Sequence, residues 1–403
     1  MDTVCHVITK LELGGAQEVA MRVVARLDRG RFRPVLIAGP GGLLTEEARA
    51  LEGIDVRIVP SLLREVHPLK DLRALWELTC LFRLLRPKIV HTHSSKAGIV
   101  ARLAAWLAGV PCILHTIHGY GVTPAQPFWL RRMLIALEWA VGWVTTHWIA
   151  VSQVDRLQGI EWGLFSASKV SVVRPGIDPA PFAARIDPAE RERLRAMLGV
   201  GPDHLLVGTV ACLKPQKSPE DFIRVAARVC QRLPKARCVL VGDGTMRPQI
   251  EAAVRAAGLQ ERVILLGWRR DVAALLKAFD VFVLTSLWEG LPCVLLEARA
   301  SRIPIVATRV GGAAEAITEQ AQGTLHQPGD VQAMADRICQ VLEDERYRAQ
   351  LRMRSEEFPE EFTIQETVKQ YQSLYTYFPR AMRSTPDVMR PHVNCRGVER
   401  EER

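Results

Sequence analysis

Two glutamates, Glu289 and Glu297, stand eight positions apart in "WEGLPCVLLEARA", residues Trp288 to Ala300. Gly290, Leu291 and Pro292 follow the first of them. Pro292 suits the first turn of a helix, where its missing N–H would have no intrahelical partner in any case. That places Glu289 in the loop at a helix mouth and Glu297 more than one turn inside. Carboxylates are strong acceptors, and each can hold a pair of vicinal hydroxyls. The free N–H groups of the helix start face outward toward negative charge. A ligand built as sugar, diphosphate and ribose matches that order.

Other loops carry compatible chemistry. In "LELGGAQEVAMRVVARL" a strand ends near Ile8, and Gly14-Gly15 open a helix at once. Glycines there let the backbone approach a ligand, and the exposed N–H groups suit a phosphate. The pattern is not Gly-x-Gly-x-x-Gly, so nicotinamide binding gains little support. In "VGTVACLKPQKSPED" Lys214 and Lys217 lie between a strand end and a helix start, a cradle for a diphosphate. "VGDGTMRPQIE", with Gly242, and "IPIVATRVGGAAEAI", with Gly311 and Gly312, repeat the strand, glycine, helix order. These loops converge at one sheet edge, each built to admit a polar ligand.

The elements that must position them are short apolar strands alternating with amphipathic helices. "VCHVI", "RPVLIAG", "DVRIVP", "KIVHTH", "CILHTIHG", "WIAVS" and "KVSVVRPG" form one strand series; "HLLVGTV", "ARCVLVGDG", "RVILLG", "DVFVLT" and "IPIVATRVGG" form another. Continuous apolar strands of this kind imply parallel sheets covered on both faces. The fold class is therefore α/β with two doubly wound domains. A chain of 403 residues fits that count. The Pro-, Asp- and Arg-rich stretch between Arg174 and about Gly201 interrupts the strand rhythm and marks the join. We expect domains over 1–180 and 181–360, a C-terminal helix over 361–378 packing back on the first domain, and a disordered tail over 379–403.

Composition bounds the partners. Residues 1–175 hold 21 Lys/Arg against 14 Asp/Glu, and the chain carries a net charge of +9. Such an imbalance suits an anionic partner, either phospholipid or a phosphorylated substrate, or else an ordinary arginine-rich surface. No nucleic-acid-binding motif occurs. The nine cysteines show no Cys-x-x-Cys pair, which points to free, mostly buried thiols. No secretory leader and no membrane span are expected, which places the protein in the cytoplasm. "FWLRRMLIALEWAVGWVTTHWIAVS" reads as a core helix leading into a strand. Its alternative is a helix resting on a bilayer, basic residues at lipid phosphates and tryptophans at the interface.

Taken together, the chain resembles the retaining glycosyltransferases of family 4, with the GT-B architecture of two facing Rossmann-like domains. Glu289 to Glu297 is similar to that family's Glu-x7-Glu signature. "GGAQ", His118-Gly119, "VGDG", "EGLP" and Gly311-Gly312 with Glu315 fall in the family's order over about residues 3–375. The resemblance implies that Glu289 contacts the transferred sugar and Glu297 the ribose of the nucleotide. Lys217, helped by Lys214 and by backbone N–H groups near Gly15 and Gly311-Gly312, would neutralise the leaving diphosphate. Gly14, Gly242, Gly290 and Leu291 belong to the same donor-binding set, and His118 would sit against the sugar. Transfer to a glycan or lipid-linked acceptor, in polysaccharide or glycolipid synthesis at the inner face of the plasma membrane, would proceed with retention and without a required metal or cofactor. The alternative on the same fold is a sugar-nucleotide epimerase or hydrolase.

Two residues depart from the family pattern. Cys212 stands where an arginine usually pairs with the diphosphate, and a thiol cannot replace a guanidinium fork. Either Lys214 or another cation compensates, or the protein is a weakly active or non-catalytic member. Arg302 stands where glycine is usual and reads as a tolerated loop change. His91 and His93, two apart on a strand and so on one face, could ligate a metal. No third ligand is evident nearby, and hydrogen bonding is the preferred reading. His115 reads as structural, Cys293 as a small buried packing residue, and the Leu72–Leu85 stripe as core.

Overall fold

The computed structural model describes residues 1–123, 126–317, 323–353 and 358–381. They form two compact units: Met1–Pro175 together with the chain from Ile364 onward, and Gly176–Thr363. The division follows the backbone pairing, because Ile177 bridges Thr363 and its N–H donates to Phe362 O at 2.9 Å.

The first unit is built on seven parallel strands: β1 (Asp2–Ile8), β2 (Phe32–Ala38), β3 (Asp55–Ile58), β4 (Ile89–His93), β5 (Cys112–Ile117), β6 (His147–Ala150) and β7 (Val170–Val172). Their order is β3-β2-β1-β4-β5-β6-β7, so the winding reverses between β1 and β4. The side-chain period of two divides the sheet into two buried faces. Cys5, Val7, Val35, Ile37 and Val90 pack on one side; Ile8, Leu36 and Ala38 pack on the other. His6 lies on the same side as Ile8, in register with His91 of β4.

The second unit has six parallel strands: β8 (Leu205–Val210), β9 (Ala236–Val241), β10 (Val263–Gly267), β11 (Val281–Leu284), β12 (Ile305–Thr308) and β13 (Gly323–His326). The order β10-β9-β8-β11-β12-β13 reverses between β8 and β11. Helix Pro219–Arg232 covers one face through Phe222, Ile223, Val225, Ala226 and Val229, the spacing of one apolar stripe. Only β13 escapes the sequence reading, because four residues including Thr324 and His326 at a sheet edge carry no apolar run.

Two helices depart from expectation, and a third differs from it only in its ends. Helix Phe128–Gly142 is not a core helix: Val141 is its only buried residue, while Phe128, Trp129, Met133, Leu137 and Trp139 are exposed. It is held to the unit by Glu138, whose carboxylate meets the fully buried Arg102 at 2.6 Å. In helix Pro68–Leu85 the buried face is Ala74, Leu78, Thr79 and Phe82, while Leu72 and Leu84 face solvent. The last helix, Ile364–Ala381, runs through Pro379 and belongs to the first unit. Residues 382–403, where a disordered tail is expected, lie outside the described residues.

Candidate functional site

In open parallel sheets, ligands bind beyond the carboxyl ends of the strands where the winding reverses. In the second unit that point is flanked by the loops after β8 and β11. The first of these carries Cys212, Lys214, Gln216 and Lys217; the second carries Ser286 to Pro292. Hydrogen bonds to the backbone join them: Leu287 N–H donates to Gln216 O at 2.8 Å, and the Thr285 side-chain Oγ1 donates to Ser218 O at 3.0 Å. Ser218 takes the left-handed conformation, φ 43°, as the chain turns into helix Pro219–Arg232.

These loops bring Glu289 and Lys217 together. The Lys217 ammonium donates directly to Glu289 Oε1, with side-chain exposures of 16% and 6%. Ser286 Oγ donates to the same oxygen at 2.6 Å, and Gln216 Nε2 donates to Oε2 at 3.3 Å. Gln216 also holds Trp288 O at 2.9 Å. Glu289 is thus a nearly buried carboxylate whose oxygens are gripped by an ammonium, a hydroxyl and an amide. Ser286 and Gln216 are functional neighbours that sequence reading missed. Each is a common polar residue whose contact to Glu289 is created only when the two loops meet.

Pro292 stands just before the first turn of helix Cys293–Ala300, not within it. Glu297 is in that helix, half-buried, and Cys293 opens it, half-buried rather than fully packed away. Gly311 is forced by a close approach: its φ is +46°, and a Cβ there would come within 2.0 Å of Glu289 O. Gly312 N–H donates to Gly290 O at 2.6 Å, so the loops after β11 and β12 are stapled backbone to backbone. Gly312 N–H is therefore already engaged by protein. Gly242, φ +130°, does the same for the loops after β8 and β9, lying against Ala211 O. Leu291 is buried; Cys212 and Lys214 are half-buried.

In the first unit, Gly14 caps helix Gly15–Arg26 with an extended backbone, and Gly15 is exposed at its start. His118 follows β5. Its Nε2 lies 3.0 Å from His93 Nδ1, and burial lowers its pKa to about 4. The absence of a third ligand near His91 and His93 is corrected: His6 of β1, fully buried, places a ring nitrogen with theirs so that all three lie within 4.8 Å of one another. Three imidazoles could hold a metal ion at such a spacing. Each of these rings is already hydrogen-bonded to protein, and burial lowers all three pKa values, holding the rings neutral. His115, on the opposite face of β5, lies 2.8 Å from Thr92 Oγ1 and stacks edge-on against Trp148.

Comparison with known proteins agrees with this layout. Residues 13–181 match the model for Glycosyltransferase Family 4, and residues 190–358 match Glycosyl transferases group 1. The chain is 31% identical to the Escherichia coli UDP-Gal:alpha-D-GlcNAc-diphosphoundecaprenol alpha-1,3-galactosyltransferase, over 85% of this chain and 88% of that protein. It is 30% identical to the putative glycosyltransferase EpsF of Bacillus subtilis, over 75% and 78%. HepE of Anabaena, solved with UDP-glucose, superimposes with a TM-score of 0.80 at 22% identity, covering 93% of this chain and 100% of that one. By its two family matches, these relatives and its two parallel-sheet units, the chain belongs to glycosyltransferase family 4 and has the GT-B architecture.

Proposed function

We propose that this glycosyltransferase moves a sugar from a UDP-sugar onto a lipid-linked saccharide in cell-surface polysaccharide or glycolipid assembly, with retention at the anomeric carbon and no required metal. The observation that carries the proposal is the Glu289–Lys217 pair at the switch point of the second unit. A bound nucleotide-sugar would meet an ammonium poised for its diphosphate beside a carboxylate poised for its hydroxyls. HepE is solved with UDP and with UDP-glucose, and the Escherichia coli relative is named for UDP-Gal, which supports a uridine donor.

In this reading the leaving diphosphate departs and the acceptor hydroxyl attacks on the same face of the sugar. Negative charge builds on the diphosphate. Lys217, Lys214 and the N–H groups at the start of helix Cys293–Ala300 stabilise it, and this electrostatic term dominates the rate. Glu289 contacts the sugar and Glu297 holds the ribose; for His118 a sugar contact is what the family resemblance implies. Gly242, Gly290, Leu291, Gly311 and Gly312 shape the loops that carry these groups.

The acceptor side draws on helix Phe128–Gly142. An exposed apolar surface of Phe128, Trp129, Met133, Leu137 and Trp139, with the exposed Arg132 among them and over the Phe128 ring, suits the interface of an anionic bilayer. No helix among the described residues is long and apolar enough to cross a membrane. We place the enzyme at the cytoplasmic face, where a polyprenyl diphosphate saccharide is the fitting acceptor class. The test is incubation with UDP-Gal, UDP-Glc and their N-acetyl counterparts, with and without a polyprenyl diphosphate saccharide. UDP release matched by an α-linked product supports the reading. No release with any donor sinks it, and free sugar in place of product would favour a hydrolase.

A further inference from the structure

Behind His118 runs an unbroken line of buried hydrogen bonds. His118 Nε2 lies 3.0 Å from His93 Nδ1, and His93 Nε2 lies 3.1 Å from His6 Nδ1. His6 Nε2 lies 3.0 Å from Tyr375 Oη, which lies 2.6 Å from His91 Nδ1. His91 Nε2 lies 2.6 Å from Thr116 Oγ1, which lies 3.3 Å from Tyr371 Oη. All of these side chains except His118 are essentially inaccessible to solvent. The line thus joins β1, β4 and β5 to the C-terminal helix and ends at a site residue.

Each neutral imidazole has one N–H and one lone pair, so neighbouring choices are coupled. The rings of His118, His93 and His6 must point together, while each hydroxyl of the line can accept twice. If the protons point away from His118, one hydroxyl proton of the line, that of Tyr375, Thr116 or Tyr371, is left with no acceptor among the described residues. If they point toward His118, Tyr371 donates to Thr116, Thr116 to His91, His91 to Tyr375, Tyr375 to His6, His6 to His93 and His93 to His118. Every buried proton then has an acceptor. An unsatisfied buried donor disfavours the first arrangement by a factor of roughly ten to a hundred.

We propose that this relay is a positioning device that fixes His118 as the neutral tautomer protonated at Nδ1, presenting an N–H donor at the half-exposed end of the line. Tyr375 is its key member, because among the described residues its hydroxyl is the only hydrogen-bonded link between His91 and His6. The alternative use of His6, His91 and His93 as metal ligands is disfavoured by geometry. Every ring nitrogen of the three already has a partner at 3.1 Å or closer. The catalytic consequence rests on the reading of His118 as a sugar contact: a donor at Nδ1 would hold a sugar oxygen, and the other tautomer would offer it only a lone pair.

The test is nitrogen NMR of the full chain with labelled histidine, which assigns each ring's tautomer without reference to turnover. Wild-type His118 protonated at Nδ1 supports the relay; protonated at Nε2, or on both nitrogens at neutral pH, overturns it. Tyr375→Phe takes the partner from both His91 Nδ1 and His6 Nε2, so the segment His6–His93–His118 is cut from the terminal donor and carries one unsatisfied nitrogen whichever way it points; His118 should become a mixture near parity. Donor kcat/KM should then fall only about twofold, following the competent fraction. Tyr371→Phe should leave His118 unchanged, since Thr116 becomes the terminal donor and still points inward. A merely structural role would not separate two stacked tyrosines of one helix in this way. Equal responses from the two variants, or an unchanged tautomer in Tyr375→Phe, overturn the proposal, as does stoichiometric zinc retained by the wild type and lost in His6→Phe. Should Tyr375→Phe fail to fold, the wild-type and Tyr371→Phe spectra still decide. If the tautomers behave as stated but His118→Ala keeps full turnover, the sugar contact is wrong and the relay stands.

Discussion

Glu289→Gln should tighten UDP binding while destroying transfer. Without donor, the Lys217 ammonium is held by the Glu289 carboxylate in a nearly buried setting, and Ser286 and Gln216 fix that carboxylate in place. An incoming diphosphate must take the ammonium from this partner. The bond from the ammonium stays charge-assisted when an amide replaces the carboxylate, but it loses the ion-pair attraction, on the order of 1–1.5 kcal/mol in a nearly buried setting. Replacing the carboxylate by an amide of the same shape therefore releases Lys217 by about 1.4 kcal/mol, or about tenfold in Kd. Removing a negative charge beside the diphosphate acts in the same direction. Transfer should nevertheless fall by about a hundredfold or more, because the carboxylate no longer faces the positive charge that develops on the sugar. Calorimetric titration of UDP into wild type and variant gives the Kd, and product formation under saturating donor gives kcat. Glu297→Gln is the control: loss of a ribose acceptor should weaken UDP. If Glu289→Gln binds UDP no more tightly than wild type, the ion pair does not compete with the ligand and this reasoning fails.

Further outcomes can be checked directly. Arg302 is exposed with φ +55°, a left-handed backbone that costs a non-glycine residue roughly 1–2 kcal/mol, so Arg302→Gly should raise the urea midpoint despite glycine's entropy. Lys214→Ala should lower donor kcat/KM at least tenfold, and Cys212→Arg should restore most of it; failure of that rescue would mean that the two positions serve different groups. Burial lowers the His6 pKa from 6.5 to about 3, so between those values the unfolded chain binds more protons and stability rises with pH. Stability is then greatest above pH 6.5, and His6 alone should remove about 1.6 kcal/mol on going from pH 6.5 to 5; urea titrations with equal midpoints at the two pH values would contradict it. Trp129 and Trp143 are 66% and 77% exposed, and at about 1.5 kcal/mol each the double alanine variant should weaken sedimentation with anionic vesicles on the order of a hundredfold.

The sheets were legible because buried parallel strands are largely continuous apolar runs, as in Val35–Ala38 or Val281–Leu284, and no other local pattern imitates them in a chain of alternating helices. Strand β13 was not, because its pairing to β12 is made by backbone groups and not by an apolar signature. Helix Phe128–Gly142 was misread for a related reason. An apolar helix in a sequence says that its face wants to leave water, not whether protein or something else covers it. Arg302 shows the converse case, in which the residue type concealed a left-handed backbone that a glycine would have announced.

The site divides along the same physical line. Glu289 and Glu297 lie on one loop and one helix, so their spacing survives in the sequence and can be read there. The partners that set their chemistry do not. Lys217 and Gln216 reach Glu289 across a strand reversal, and Tyr375 reaches His6 from the opposite end of the chain. A buried polar group must find a partner, but the sequence does not say which one, because any donor or acceptor of suitable reach satisfies the requirement equally. His91 and His93 were visible as a pair on one strand face. What makes them part of a line leading to His118 is that β1 sits beside β4 at the winding reversal, which brings His6 into register with His91. Topology, not motif, assembles that cluster. In a chain of this architecture, residues with chemistry near the C-terminal halves of the two strands flanking the reversal are therefore the ones to test for partnership, even when their separation in sequence gives no hint of it.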